Sequence, residues 1–158
     1  MKSSGTGRNP ATFIKNSRLL TDLFGYWPEF HDAEIVDLFL SVGCAKPWIP
    51  GCDSPNIEMK LELCDWNGST ARTLVEMYFG SVREVELTDF SYQNSVEEIL
   101  FHTEPRQLPD GRGGMSAPFD IVRVEIIANC GLTAKFECKK AEVISATMIA
   151  KTDEETPI

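Results

Sequence analysis

Residues 25–42 read GYWPEFHDAEIVDLFLSV, and helical spacing gives way to strand spacing within this stretch. In the preceding segment apolar residues recur at helical spacing, at Leu19, Leu20, Leu23 and Phe24. Asn16 or Ser17 can cap the start of such a helix. Gly25 suits the left-handed residue that ends a helix, and Pro28 prevents its continuation. The sequence therefore predicts a short helix over about residues 14–25, followed by a tight aromatic turn.

After His31 the apolar period changes to two, which predicts a strand over about residues 33–42. One of its faces is purely aliphatic, and we expect that face to lie in the core: Val36, Leu38, Leu40 and Val42. Asp32 and Glu34 share the parity of this face and lie at its entry. There they need solvent or hydrogen-bonding partners.

The order His31-Asp32-x-Glu34 invites an enzymatic or metal-binding interpretation. Alternation argues against it, because His31 points opposite to the two acids in an extended strand. A metal ion would also need more ligands than this row supplies. We therefore expect the three side chains to bond neighbouring backbone amides and to lock the corner between helix and strand.

The length and composition fit one globular domain. The chain has 158 residues, 42% of them hydrophobic and 25% charged, which is enough for a core of its own. We assign a disordered tail to residues 1–12, a single domain to 13–150 and a frayed tail to 151–158. The net charge of −9 disfavours nonspecific binding to nucleic acid or to anionic membranes. It favours a basic protein partner.

The cysteines and histidines favour a cytoplasmic protein without a metal or cofactor. Residues 1–10 contain no apolar signal segment, and no run reaches transmembrane length. Five cysteines, an odd number and without a CxxC pair, fit reduced thiols. With only His31 and His102 available, a structural zinc site is disfavoured. A thiol nucleophile beside His102 stays open as an alternative.

The rest of the chain is dominated by strand patterns. Strands are predicted over about residues 56–65, 70–79, 83–90, 96–103, 120–128, 132–138 and 142–150, with a short helix as the alternative for 96–103. Breaker-rich residues 105–118 predict a loop, and their DGRGG a turn rather than a phosphate loop. The last strand is apolar on both parities, which indicates a central or covered position. The predicted class is α+β, with an N-terminal helix packed on a mainly antiparallel sheet of about seven strands.

Residues 70–90 predict a β-hairpin with an acidic outer face. A three-residue loop at 80–82 pairs Met77 with Val85, so that apolar faces coincide. Glu76 then lies opposite Glu86, and like charges directly opposite each other are destabilising. Between residues 76 and 104 there are seven acids and one base, Arg83. We predict that a cationic partner binds the outer face, through Glu76, Tyr78, Glu84 and Glu86.

Trp48 lies in a loop rich in Gly and Pro at residues 43–55. It can fold back over a sheet edge, or it can serve as an exposed aromatic anchor for a partner. We treat it as a second candidate for partner binding.

The residues Trp27-Pro28-x-Phe30-His31-Asp32-Ala33-Glu34 resemble the N-terminal signature of the bacterial immunity protein 50 family, which is associated with polymorphic toxin systems. A second block is similar to the same family: Phe79-x2-Val82-x4-Leu87-x2-Phe90-x2-Gln93-Asn94. A weaker similarity is Phe136-x-Cys138 before the last strand. Together these blocks span most of residues 17–150.

The resemblance implies a small cytoplasmic α+β protein that binds and neutralises a toxin domain made by its own cell. It transfers no catalytic residues, and it implies that the matched aromatic residues lie in the core: Trp27, Phe30, Phe79 and Phe90. Two alternatives stay open. One is a generic interaction or adaptor domain, and the other is a small hydrolase that uses His31, Asp32 and Glu34, or a cysteine with His102.

Overall fold

The structure is a computed structural model that describes residues 7–42, 55–64 and 72–149. These residues form a 3₁₀-helix at Pro10–Thr12, helix α1 at Arg18–Phe24 and eight strands: β1 Glu34–Ser41, β2 Asn56–Cys64, β3 Arg72–Gly80, β4 Arg83–Thr88, β5 Ser95–Arg106, β6 Phe119–Cys130, β7 Thr133–Cys138 and β8 Lys140–Ile149. The expectation of a mainly antiparallel sheet with one helix near the N-terminus is confirmed. The strands described number eight rather than about seven.

The strands form one antiparallel sheet in the order β4-β7-β6-β5-β1-β2-β3-β8. The two ends of this order are joined, because the chain runs directly from β3 into β4 and from β7 into β8. Between the β3–β8 and β4–β7 pairs, Lys139 N donates a hydrogen bond to Gly80 O at 3.1 Å. The ladder is therefore continuous across both junctions, and β3–β4 and β7–β8 act as two long, bent strands. The pairings close into a ring around the apolar core.

The predicted hairpin over residues 70–90 is wrong. β3 pairs with β2 and β8, whereas β4 pairs with β7. Glu76 lies opposite Lys60 and Ser145, and Glu86 lies opposite Lys135. Alternation correctly identifies the buried residues of β3, but it does not identify the neighbouring strand. Residues 80–82 form a corner between two long-range pairings instead of a tight turn.

The predicted core face of β1 is wrong except at Leu38, because Val36, Leu40 and Val42 are all exposed. A bulge between Ile35 and Asp37 adds one residue to β1, so Ile35 is buried and Val36 is exposed. After the bulge, Leu38 lies opposite buried Met59 and packs against the core, as expected. Val42 is 89% exposed. Because the bulge reverses the parity, Asp32 and Glu34 do not belong to the core face.

Other alternating segments behave as predicted. The expected core residues of β2, β6 and β7 are all buried: Ile57, Met59, Leu61, Leu63, Val122, Val124, Ile126, Ala134, Phe136 and Cys138. Segment 96–103 is part of a strand, and the DGRGG segment is a turn in which Asp110 Oδ1 accepts from the Arg112 and Gly114 amides. β8 is not central. It pairs with β3 on one side, and the backbone of Lys15 bonds to Ala141 and Val143 on the other.

The aromatic residues of the two matched blocks do not all lie in the core. Phe30 and Phe79 are buried, and Trp27 is half-buried with edge-on contacts to Phe30 and Phe101 at centroid distances of 5.8 and 5.7 Å. Phe90 is 65% exposed, which overturns the expectation of a core position. Gly25 ends α1 with φ of 82°, as expected, but the helix begins only at Arg18 because the preceding residues bridge to β8.

Candidate partner-binding surface

A shallow groove of about 360 Å³ crosses the outer face of β1, β2, β3 and β8. Two cross-strand rows build it. In the first, Asp37, Lys60 and Glu76 lie side by side, and in the second, Phe39 lies beside Glu58. Ile144 on β8 closes the far side. We call this surface the acidic groove and define it by its outward-facing residues: Asp37, Phe39, Glu58, Lys60, Glu76 and Ile144.

The charge of the acidic groove is negative. Its single cation, Lys60, has its Nζ 3.7 Å from Glu76 Oε1. Asp37 and Glu58 form no ion pair with any residue in the described part of the chain. Both are exposed. A partly exposed surface ion pair such as Lys60–Glu76 contributes little stability, so Glu76 can exchange this partner for another cation. The groove therefore offers three carboxylates to a basic ligand.

Apolar side chains flank these carboxylates. Phe39 is 59% exposed and Ile144 is 49% exposed, one on each side of the groove. Rings and aliphatic chains that remain in water are typical of binding surfaces when they border charged groups. Tyr78 is half-buried in the same four-stranded face, opposite Glu58, with Lys140 Nζ 5.7 Å from its ring centroid.

The structure does not place the four predicted partner-binding residues on one surface. Glu76 and Tyr78 lie on the face that carries the acidic groove, but Glu84 and Glu86 line a second groove of about 460 Å³ on the outer face of β4, β7, β6 and β5. The reason is the corner at residues 80–82, which sends β4 to a different neighbour. The expected opposition of Glu76 and Glu86 therefore does not occur.

The second groove has two cations among its lining residues, whereas the acidic groove has one, but the two grooves carry the same formal charge. Arg123 and Lys135 line the second groove together with the acids. Buried Glu137 accepts hydrogen bonds from Arg106 at 2.6 and 3.1 Å and from Arg123 at 3.2 Å. These bonds, first of all those from Arg106, hold the pKa of Glu137 below its usual range against the effect of burial. This network ties β5, β6 and β7 together.

The corner between α1 and β1, which contains His31, Asp32 and Glu34, differs from the expectation. His31 Nδ1 lies 3.1 Å from Asp32 Oδ2, and Asp32 Oδ1 accepts from Asn129 Nδ2 at 3.3 Å. Among the described residues, the Asp32 carboxylate thus contacts side chains rather than backbone amides. The backbone closes the corner, since Asp32 N donates to Val96 O and Val96 N to Ala33 O. Phe30 and Asp32 both have φ near 60°, so Pro28 and these two residues fix a strained turn. Half-buried Glu34 lies opposite Glu62.

No group of three or more potential metal ligands occurs among the described residues. Burial raises the pKa of the Cys138 thiol to about 12, so this thiol stays protonated at neutral pH. Exposed His102 lines the second groove. Trp48, Cys44 and Cys52 lie outside the described residues.

Positive charge is concentrated elsewhere. Four cations line a groove of about 340 Å³ where β5 ends and β8 begins: Arg8, Lys15, Lys139 and Lys140. The chain has a net charge of −9, and its cations in this groove are separate from the carboxylates of the acidic groove. The charge distribution of the molecule is therefore polar. Such polarity orients a charged partner before contact.

Sequence reasoning missed Asp37, Phe39, Glu58 and Ile144. The sequence did indicate that Asp37 and Phe39 face outward together, because they share one parity on a strand whose other face is aliphatic. The sheet order, which brings Ile144 beside β3, carries no such signal.

No protein-family model matches the sequence, and no curated protein or solved structure is significantly similar to it. Within the described residues, no helix is both long and apolar enough to cross a membrane.

Proposed function

We propose that this protein is a non-enzymatic immunity protein of the bacterial cytoplasm, and that its acidic groove binds and blocks a cognate toxin domain. One observation carries the proposal. Three carboxylates, at Asp37, Glu58 and Glu76, face outward with one counter-charge between them and exposed Phe39 and Ile144 beside them. This combination suits a protein surface that is basic and partly apolar.

The chemistry of toxins explains why such a surface is useful. Toxins that act on polyanions present basic active-site surfaces, because their substrates are anionic. An acidic inhibitor can cover that surface and approach it quickly under electrostatic steering. The toxin as partner comes from the resemblance to the immunity protein 50 family. The groove supplies the recognition chemistry, and the resemblance supplies the kind of partner.

The alternative adaptor function shares the same groove and differs in its partner. It predicts tight binding to a basic protein that is not a toxin. A toxin gene beside the gene of this protein favours the immunity function.

The experiment compares two variants of equal charge. The groove variant is Asp37→Lys with Glu58→Lys, and the matched control is Glu84→Lys with Glu86→Lys in the second groove. Both variants change the net charge of −9 by the same amount, so long-range attraction falls equally and only the local contacts differ. Association with the toxin domain encoded beside the gene is measured by stopped flow at low and high salt, with thermal melts as the folding check.

We expect the groove variant to raise Kd by about 100-fold or more, since buried charge pairs are replaced by like charges. The control should lose association rate at low salt but retain most of its affinity at high salt. If the two variants lose affinity equally, the acidic groove is not the interface and overall acidity alone explains binding.

A further inference from the structure

The loop between β4 and β5, residues 89–94, presents two aromatic rings to solvent. Phe90 is 65% exposed and Tyr92 is 100% exposed. Rings that are so largely exposed contribute little to the packing of the fold, yet aromatic side chains often dominate the energetics of protein interfaces.

Asn94 holds this loop from inside. It is only 4% exposed, and its Oδ1 accepts hydrogen bonds from the Ser91 and Leu132 amides, each at 3.0 Å. Its Nδ2 donates to Ser91 O at 2.8 Å. Ser91 Oγ also donates to Gln93 O at 2.8 Å. One buried side chain thus joins both ends of the aromatic segment to the start of β7.

Gly131 holds the loop from the other side. A Cβ atom at Gly131 would meet the backbone oxygen of Gln93, and it would lie 2.6 Å from Asn94 Oδ1. Only glycine permits this approach, and its φ is 83°. The 89–94 loop is therefore clamped to the β6–β7 turn. Asn94 accepts a hydrogen bond from the Leu132 amide, and Gly131 packs against the backbone of Gln93 and Asn94. A binding loop that is already ordered loses less conformational entropy when a partner binds.

The end of the fold that carries the loop is acidic. Ser95 at the start of β5 lies opposite both Cys130 and Glu34, and Asp32 bonds to Asn129. Acidic side chains cluster in the segments that meet here: Asp32, Glu34, Asp89, Glu97 and Glu98. Residues 84–105 contain no lysine or arginine. The four-cation groove lies at the opposite end of the β5–β6 pair, near Thr103 and Val122.

We propose that the 89–94 loop is a preformed anchor that docks Phe90 and Tyr92 on the basic surface of the toxin domain. Lysine or arginine side chains of that surface stack on the two rings, while Asp89 and its acidic neighbours pair with their charges. This inference rests on the proposed function. It gives the toxin domain a second contact, separate from its contact with the acidic groove. Glu34 is the first residue of β1, and Asp37 of the acidic groove follows it on the same strand. Glu34 therefore lies between the loop and the acidic groove.

The test replaces both rings. Phe90→Ser with Tyr92→Ser removes the anchor without touching Asn94, and Tyr26→Ser removes a ring that is 61% exposed outside both surfaces. Binding of the toxin domain encoded beside the gene is measured by surface plasmon resonance, and folding by thermal melts. We expect the double variant to melt like the wild type and to bind about 100-fold more weakly, mainly through faster dissociation. The Tyr26 variant should stay within about threefold of the wild type.

The outcomes separate the two proposals. If the wild type binds the toxin domain and the double variant binds equally well, the anchor is refuted and the proposed function stands. If the wild type does not bind that domain, both fail. Sedimentation provides a further arm. If the wild type is a dimer and the double variant a monomer, the rings bind a second copy of this chain, and the proposal is again refuted.

Discussion

Replacement of Gly131 by alanine probes the clamp on the 89–94 loop most sharply, and Gly113 provides the matched control. Both glycines have φ of 83°. Around Gly113 an added Cβ meets no atom within 4 Å, whereas at Gly131 it meets the backbone of Gln93 and Asn94. The two substitutions therefore share the cost of a left-handed alanine and differ only in the tertiary contact.

The magnitudes follow from these contacts. A left-handed alanine costs about 1–2 kcal/mol, and the reduced freedom of the unfolded chain offsets about 0.4–1 kcal/mol of it. Gly113→Ala should thus cost about 1 kcal/mol. At Gly131 the backbone of residues 93 and 94 must shift, which adds about 1–3 kcal/mol for overpacking. The shift also weakens the two amide bonds to Asn94 Oδ1, each contributing about 0.5–1.5 kcal/mol. We expect about 3–5 kcal/mol in total for Gly131→Ala.

Chemical denaturation with a thermal melt measures both variants. In a chain of this size, about 1 kcal/mol lowers Tm by about 2–4 °C, so Gly131→Ala should lose about 10 °C and Gly113→Ala about 3 °C. If the two variants lose the same stability, the backbone of the loop is not in close contact with Gly131. The clamp, and with it the preformed anchor, would then be refuted.

Two further predictions concern titratable groups. Hydrogen bonds from Arg106 lower the pKa of Glu137 in the folded state, so this carboxylate stabilises the fold above its unfolded pKa and the contribution is lost as pH falls through the lowered value. Glu137→Gln should therefore be less stable than the wild type at pH 7, and the difference should shrink below about pH 4; a constant difference from pH 7 to pH 3 would contradict this. Cys138 is buried with a pKa raised to about 12, whereas Cys130 is exposed. Mass spectrometry after brief native labelling with iodoacetamide at pH 8 should find Cys130 modified and Cys138 unmodified until denaturant is added, and rapid native labelling of Cys138 would show that its surroundings open.

The sequence predicts the parts of the fold that depend on local alternation. β2, β6 and β7 have one apolar parity each, and their expected residues are buried. The end of α1 at Gly25 was also predictable, because the residue after a helix needs a positive φ that glycine adopts freely. In these segments the local preference and the tertiary environment agree.

The errors occur where a distant contact overrides the local pattern. β3 and β4 look like a hairpin because adjacent alternating segments usually pair, yet the ladder to β8 and β7 is longer and continuous. The bulge in β1 appears in its register with β2, and the sequence of β1 alone does not predict it. A core position for Phe90 was expected only because Phe90 belongs to a block that resembles the immunity protein 50 family. Instead it is 65% exposed, in a loop that Asn94 joins to the Leu132 amide.

The candidate site was predictable only in part. Glu76 was identified from the concentration of acids around it, and the structure places it in the acidic groove. Its predicted neighbours Glu84 and Glu86 lie in the second groove, because that part of the prediction depended on the hairpin. Phe39 and Glu58 join Glu76 through cross-strand register, which composition does not determine.

The most direct test of the proposed function is neutralisation of the toxin domain in a purified assay. The toxin domain encoded beside the gene is titrated with the wild type, the groove variant Asp37→Lys with Glu58→Lys, and the equal-charge control Glu84→Lys with Glu86→Lys, and its activity is followed at physiological salt. The proposal predicts that the wild type and the control abolish toxin activity near one molar equivalent, while the groove variant needs a large excess. Full toxin activity in the presence of excess folded wild-type protein would contradict it.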